Sequence, residues 1–134
     1  MRAISADTLR YLGALATIVV GAVHLQKYAD FIADVPTIGV LFVLNGLGAG
    51  VLAIMLVTRG AVLGAVGAVG LSGAALISLA ISMSAGGLFD YIEPAFRSAV
   101  VVSVAAEVAA IVLLGAYLAV RRAPRRARVD WTAA

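Results

Sequence analysis

Four long stretches without charged side chains alternate with short polar segments along this chain. The gaps between charged residues hold 16, 24, 30 and 23 residues, at 11–26, 35–58, 60–89 and 98–120, and only the last is interrupted, at Glu107. A helix needs about 20 residues to cross the hydrocarbon of a bilayer. The pattern therefore predicts an all-α membrane protein: a four-helix transmembrane bundle that runs up-down-up-down, with passes at about 7–28, 36–58, 60–84 and 96–120.

The first pass is the shortest of the four. Its 16 uncharged residues rise only about 24 Å, so we expect Arg10 and Lys27 to extend their charged groups towards the interfaces and the helix to reach Tyr28. The apolar run ends without a small-residue cleavage site, which favours an uncleaved helix over a signal peptide. Four passes use almost the whole chain, so 1–134 is expected to form a single transmembrane domain, with no soluble catalytic domain and no enzyme activity.

Composition supports this class. Of 134 residues, 63% are hydrophobic and 13% are charged, and the mean hydropathy is +1.10. These values exclude an ordinary soluble domain, a disordered tail and a nucleic-acid module. There is no cysteine and a single histidine, so no thiolate or zinc motif is present, and we expect neither a metal nor a cofactor.

Basic residues predict the orientation. When the chain is divided at the ends of the passes, eight basic residues fall on one side and two on the other. The larger group is Arg2, Arg10, Arg59, Arg121, Arg122, Arg125, Arg126 and Arg128; the smaller is Lys27 and Arg97. The positive-inside rule therefore places both termini in the cytoplasm and the protein in the plasma membrane.

The basic segment 121–134 is a predicted cytoplasmic tail. It carries five of these arginines, Arg121, Arg122, Arg125, Arg126 and Arg128, which we interpret as topology anchors that contact anionic lipid. A regulatory or nucleic-acid role is the alternative for them, and we expect no nucleic-acid partner.

Small residues recur four apart within the passes, a spacing that lets membrane helices approach closely. Pass three is the richest in small residues and is predicted to be the most crowded helix. The same spacing serves packing within one chain or dimerisation. The stripes are Gly13, Thr17 and Gly21; Gly46 and Gly50; and Gly60, Gly64, Ala68 and Ser72.

Each half of the chain also carries an acid just ahead of a proline, Asp34 before Pro36 and Glu93 before Pro94. Both prolines suit the first turn of a descending helix. The two hairpins are either a duplicated unit or two independent pairs of passes with similar turns.

Glu107 is the clearest functional candidate, because a carboxyl group near the middle of a membrane helix costs about 2.5 to 3.5 kcal/mol on insertion scales. Two interpretations stay open: a packing hydrogen bond, for example to Ser103 one turn away, or the binding of protons or a ligand. The other candidates for such a site are polar residues of the outer half of the passes, His24, Asn45, Ser78 and Ser82.

These side chains either converge on one buried site or make separate hydrogen bonds between helices. The predicted passes place His24 and Glu107 about 10 Å apart in depth. A water or Asn45 is then needed to connect them, which disfavours a direct ion pair.

Several motifs resemble a group of uncharacterised small four-pass membrane proteins of high-GC bacteria. They are His24-Leu25; Pro36, Gly39, Phe42 and Asn45 at steps of three; Gly87-Leu88-Phe89 with Glu93-Pro94; and Ser103 with Glu107. The resemblance implies the same four-pass architecture and supports the choice of polar residues, but it implies no activity.

Three functions remain open on the sequence alone. The first is a non-enzymatic accessory or interaction subunit of a membrane assembly, or a homo-oligomer. The second is a small proton-linked transporter that uses Glu107. The third is a haem or quinone site at His24, with Met55 or Met83 as a second haem ligand.

Overall fold

Four long helices form the fold in the computed structural model, which describes residues 4–93 and 98–122. They are α1 (Ala6–Lys27), α2 (Ile38–Val57), α3 (Ala61–Ser82) and α4 (Ser98–Arg122). Each is long and apolar enough to cross a membrane, and the described residues form no β-strand beyond an isolated bridge. The predicted four-helix class is confirmed, and the chain is a multi-pass integral membrane protein.

The ends of the first hairpin differ from the prediction. α1 begins after Ser5, whose hydroxyl caps the helix by accepting the N–H of Thr8 at 3.1 Å. It does not stop at Tyr28 but continues through a π-helical turn, Tyr28–Ile32. Pro36 does not begin α2, because Thr37 has a φ of 64°, outside the right-handed helical region. Pro94 lies outside the described residues.

The helices form a four-membered ring in which neighbours in sequence are antiparallel. α1 and α3 each pack against both α2 and α4, and α1 and α3 also approach each other across the ring. The start of α1, the α2–α3 turn and the end of α4 form one end, called here the inner end. The opposite end, with the α1–α2 turn and the segment 83–93, is the outer end.

Glycines allow two of the closest helix contacts. A Cβ at Gly21 would lie 3.0 Å from Ala49 Cβ and 3.1 Å from the carbonyl oxygen of Gly46, and one at Gly64 would lie 3.0 Å from the backbone nitrogen of Leu56. Gly50 does not serve packing within the chain, since no other described helix lies within 4 Å of its Cβ position; the alternative of dimerisation stays a prediction.

The most crowded helix is α1 rather than α3. In the most apolar part of each helix, 39% of the residues of α1 are buried, compared with 22% in α3. The difference arises because α1 packs more extensively against α2 and α4 than α3 does.

The inner half of the bundle is filled by a hydrophobic core. Its buried members come from all four helices and are mostly small or aliphatic, which lets the helices pack tightly there. They are Leu9, Ala14, Leu56, Ala61, Ala65, Ala68, Leu114 and Tyr117.

Large aliphatic side chains cover the outside of the ring. Leu15, Ile54, Leu63 and Val112 are each more than half exposed. In water such a surface would aggregate, whereas in a bilayer it is the expected contact with lipid. The described surface therefore fits a chain surrounded by hydrocarbon.

Candidate functional site

A cavity of about 260 Å³ lies in the outer half of the bundle and is lined by all four helices. The structure brings all the predicted polar site residues to its wall: His24, Asn45, Ser78, Ser82, Ser103 and Glu107. The bundle is thus packed at its inner end and hollow towards its outer end. Of the two sequence interpretations, the arrangement corresponds to convergence on one site.

Glu107 lies on the face of α4 that points into the ring and is only 2% exposed. Its Oε1 accepts a hydrogen bond from the Ser103 hydroxyl at 3.0 Å, one helical turn towards the outer end. This bond holds one carboxyl oxygen in a fixed direction.

His24 faces Glu107 from α1. Its Nδ1 is 2.9 Å from the carbonyl oxygen of Val20. Because a carbonyl oxygen only accepts, Nδ1 carries a hydrogen and donates. Nε2 lies 3.8 Å from Glu107 Oε1, so two groups that can each take up a proton face each other. The imidazole ring packs against Phe42, with ring centroids 5.0 Å apart.

The predicted depth difference between His24 and Glu107 is wrong. The π-helical turn carries the first pass on to Ile32, so His24 lies eight residues, or about 12 Å, below the outer end of that pass. Glu107 lies nine residues, or about 13 Å, below Ser98, where the described part of α4 starts. The two side chains therefore meet at one level.

Three polar residues of α2 and α3 complete the wall. Asn45 lies seven residues into α2, and its buried Oδ1 has no hydrogen-bond partner in the described structure. Ser82 donates its hydroxyl to the carbonyl oxygen of Leu79 at 2.8 Å, which leaves its oxygen lone pairs for the cavity. Ser78 lies one turn deeper. An amide acceptor left unpaired in a buried wall is costly.

A buried ion pair closes the outer side of the cavity, and the sequence reasoning missed it. Lys27 Nζ lies 3.3 Å from Glu93 Oε2, and the side chains are 12% and 5% exposed. The Tyr91 hydroxyl donates to the same oxygen at 2.9 Å. Lys27 was expected to extend to the interface; it turns inward because Glu93 neutralises it. The sequence did contain a signal for this ion pair, because Lys27 and Glu93 carry opposite charges and both lie at the outer end.

A tight turn positions this ion pair over the helices. Leu88 and Tyr91 exchange two backbone hydrogen bonds of 2.8 and 2.9 Å, around Phe89 and Asp90, which both have positive φ. Gly87 also has a positive φ, and a Cβ there would lie 2.6 Å from the carbonyl oxygen of Tyr91. The backbone N–H of Glu93 then donates to the carbonyl oxygen of Ser82 at 3.0 Å, tying the segment to the end of α3.

The rest of the wall is apolar and reaches the lipid-facing surface. Leu41 and Leu44 on α2 and Ala74 on α3 line the cavity and are also exposed. Near the inner end the same two helices are in close contact at Gly64. The α2–α3 seam is therefore closed towards the inner end and opens the cavity laterally towards the outer end.

The structure does not place either predicted second haem ligand beside His24. His24 itself donates Nδ1–H to the Val20 carbonyl and faces the Glu107 carboxyl group with Nε2 at 3.8 Å, an arrangement that metal-bound histidines also use. Met55 packs at the inner end against Gly60 and Gly64, and Met83 is not among the lining residues. Within 4–93 and 98–122, no three His, Asp or Glu side chains cluster in a way that could hold a metal ion.

The predicted lipid anchors are described only in part. Arg121 and Arg122 end α4 at the inner end and are exposed, and Arg121 donates to the Tyr117 hydroxyl at 3.3 Å. Arg10 and Arg59 lie at the same end, and Arg10 pairs with Asp7 at 3.2 Å. Arg125, Arg126 and Arg128, like Arg2 and Arg97, lie outside the described residues.

Comparison with known proteins adds no relative: no protein-family model, curated protein or solved structure matches the chain. Any functional conclusion therefore depends on the chemistry of the cavity.

Proposed function

We propose that this protein is a small proton-linked carrier, without catalytic activity, that binds its substrate in the outer cavity and exchanges a proton at Glu107. The observation that carries the proposal is the convergence of six polar side chains from four helices on one cavity in an otherwise apolar bundle. Polar and ionisable groups inside a membrane are costly and commonly mark transport pathways and proton relays.

Each polar group has a role in this proposal. Glu107 gives up and takes back the proton, Ser103 orients its carboxyl group, and His24 presents Nε2 as a nearby second proton site. Asn45 supplies an acceptor for the substrate. The Lys27–Glu93 pair closes the outer side without adding net charge.

Orientation and location belong to the same proposal. With Arg10, Arg59, Arg121 and Arg122 at the inner end, the positive-inside rule supports a cytoplasmic inner end in the plasma membrane. The cavity then lies in the half that faces away from the cytoplasm. Single cysteines at Thr58 and Ala33, in a chain without native cysteine, test this: an impermeant maleimide should label only Ala33→Cys in intact cells.

The accessory-subunit and homo-oligomer hypotheses stay predictions. Either role needs a packed bundle with a lipid-facing or partner-facing surface, and neither accounts for a hollow outer half that contains a carboxyl group and an imidazole. Purification in mild detergent tests them through stoichiometric partners or a defined oligomer.

Proton flux across the membrane of proteoliposomes tests the carrier directly. Vesicles loaded with a pH-sensitive dye receive inward gradients of small amphiphiles of cationic, neutral and anionic classes. We expect at least one class to drive proton flux that Glu107→Gln lowers to the protein-free background, because the amide keeps the shape and loses the exchangeable proton. Asp34→Asn, the same chemical change at an exposed position, should leave the flux unchanged. Absence of Glu107-dependent flux with every class would refute the proposal.

A further inference from the structure

We propose that the cavity takes a small lipophilic amine, an ammonium group on a short apolar body, which enters from the lipid between α2 and α3. This inference rests on the proposed carrier function and names its substrate class. It follows from three features of the cavity: its size, the charge balance of its polar wall, and its lateral opening.

The size limits the ligand to little more than one ring and a short chain. A cavity of about 150 Å³ is enough to hold benzene, whereas drug-sized ligands occupy about 300 to 1,000 Å³. At about 260 Å³, the cavity falls between these limits. Leu71, Ala75 and Leu79 of α3 and Val100 of α4 provide apolar walls for such a body.

The polar wall favours a ligand that donates hydrogen bonds. Asn45 Oδ1 is a buried acceptor without a partner, and Glu107 Oε2 accepts no hydrogen bond in the described structure. A quinone offers no donor to the unpaired oxygen of Asn45, and a carboxylate ligand would add a second negative charge beside a deprotonated Glu107. An ammonium group supplies up to three donors and the opposite charge.

After a proton leaves the cavity, the balance of charges on its wall favours the binding of a cation. Among the residues that the structure describes, the titratable side chains that line the cavity with Glu107 are His24 and Lys27 from α1 and Tyr91 and Glu93 from the outer segment. The described lining residues of α2 and α3 are polar or apolar but not titratable. The opposite charges of Lys27 and Glu93 cancel, and the proposed carrier assigns one exchangeable proton to the His24–Glu107 pair. Loss of that proton leaves one uncompensated negative charge in a low-dielectric cavity, which is costly unless a cation replaces it.

The exchange is balanced in atoms and charge. The ammonium ion enters, the proton of the His24–Glu107 pair leaves to water, and the carboxylate is then paired with the ammonium group. No bond of the ligand forms or breaks. Return of a proton to the carboxylate releases the ammonium ion, so one cation is exchanged for one proton.

The lateral opening provides the route by which the amine enters the cavity. Leu44 lines the cavity and is 59% exposed on α2, while Leu47, one turn away, is equally exposed and does not line it. A membrane-dissolved amine reaches the seam with its apolar body already in lipid. The two leucines form a matched pair for testing this route.

Binding of three related probes to the purified protein in nanodiscs tests the inference. The probes are 4-phenylbutylamine, 4-phenylbutan-1-ol and 4-phenylbutanoate, which share one body and differ in the charge of the polar end. We expect saturable binding of the amine, weakened about tenfold or more by Glu107→Gln, where a charged hydrogen bond is lost, and unchanged in Asp34→Asn. The alcohol and the acid should show only the partition of empty nanodiscs.

The seam is tested in the same assay with variants that keep the polar wall intact. Leu44→Trp should lower amine affinity about fivefold or more by filling the opening, a loss of about 1 kcal/mol, while Leu47→Trp should not. Circular dichroism and gel filtration establish that each variant is folded. If Glu107→Gln does not fold, the three probes on the native chain decide the substrate class and the two tryptophan variants decide the route. Equal effects of both tryptophans would overturn lateral access.

The two proposals fail separately. Saturable binding of the alcohol or the acid in place of the amine overturns the substrate class and leaves a carrier with Glu107-dependent flux intact. Saturable amine binding without any Glu107-dependent proton flux overturns the carrier and leaves the amine site intact.

Discussion

Four ionisable side chains of the outer half lie in two pairs. Glu107 faces His24, and Lys27 pairs with Glu93 where both side chains are almost fully buried. Pairing of this kind offsets part of the cost of removing charges from water, and removal of one partner exposes the full cost of the other. The two pairs differ in composition: Lys27 and Glu93 form a salt bridge of opposite charges, whereas Glu107 and His24 are the pair to which the proposed carrier assigns the exchangeable proton.

The outer ion pair should show strong coupling in a double-mutant cycle. Lys27→Met alone leaves Glu93 buried without its cation, and we expect it to lower the free energy of unfolding by roughly 3 kcal/mol. Lys27→Met combined with Glu93→Gln should recover most of that loss, because no unpaired charge remains. Denaturant unfolding in detergent micelles measures both. Additive losses in the double variant would mean that the two side chains do not interact.

The sequence predicted a site residue when its residue type is rare in an apolar membrane pass. Glu107 and His24 stand out because ionisable groups are scarce in apolar passes, and Ser103 follows from the spacing of one helical turn. The Lys27–Glu93 contact joins residues 66 positions apart in the chain, and hydropathy contains no information on such a pairing. The depth of His24 depended on a π-helical turn that no residue pattern signalled.

The lengths of the apolar stretches predict the four helices. The helix ends and the contacts between helices depend instead on local backbone geometry. Thr37 with its positive φ delays α2 to Ile38, which the position of Pro36 did not reveal. Stripes of small residues identified Gly21 and Gly64 as contact points within the chain, whereas Gly50 of the same pattern contacts no described helix. Spacing marks a helix face, whereas the position of the neighbouring helix decides whether that face is covered.

Close contact between α1 and α2 should make the two glycines of these stripes respond differently to a larger side chain. Gly21→Leu forces its side chain against Ala49 and the backbone of Gly46, and we expect a loss of about 1 to 3 kcal/mol in the free energy of unfolding. Gly50→Leu faces open space and should be neutral or slightly stabilising, because leucine favours helix over glycine. Thermal unfolding in detergent compares them. Equal losses would show that α1 and α2 do not meet at Gly21.

In the whole molecule, packed side chains fill the inner half of the bundle, whereas the outer half encloses a cavity. The core around Leu56, Leu114 and Tyr117 seals the inner half, while the outer half holds the polar cavity and opens sideways to lipid. A carrier needs such an asymmetry in each of its states, with one side closed while the other admits the substrate. The four-pass class was predictable from the sequence; the hollow outer half was not, because it depends on how far apart α2 and α3 lie.

The most direct measurement is the number of protons released when the amine binds. Calorimetric titration of the purified protein with 4-phenylbutylamine, at one pH in two buffers of different ionisation enthalpy, gives this number without any transport step. The exchange at Glu107 predicts one proton released per amine bound by the native chain and none in Glu107→Gln. Amine binding to the native chain without proton release, or release that persists in Glu107→Gln, would contradict it.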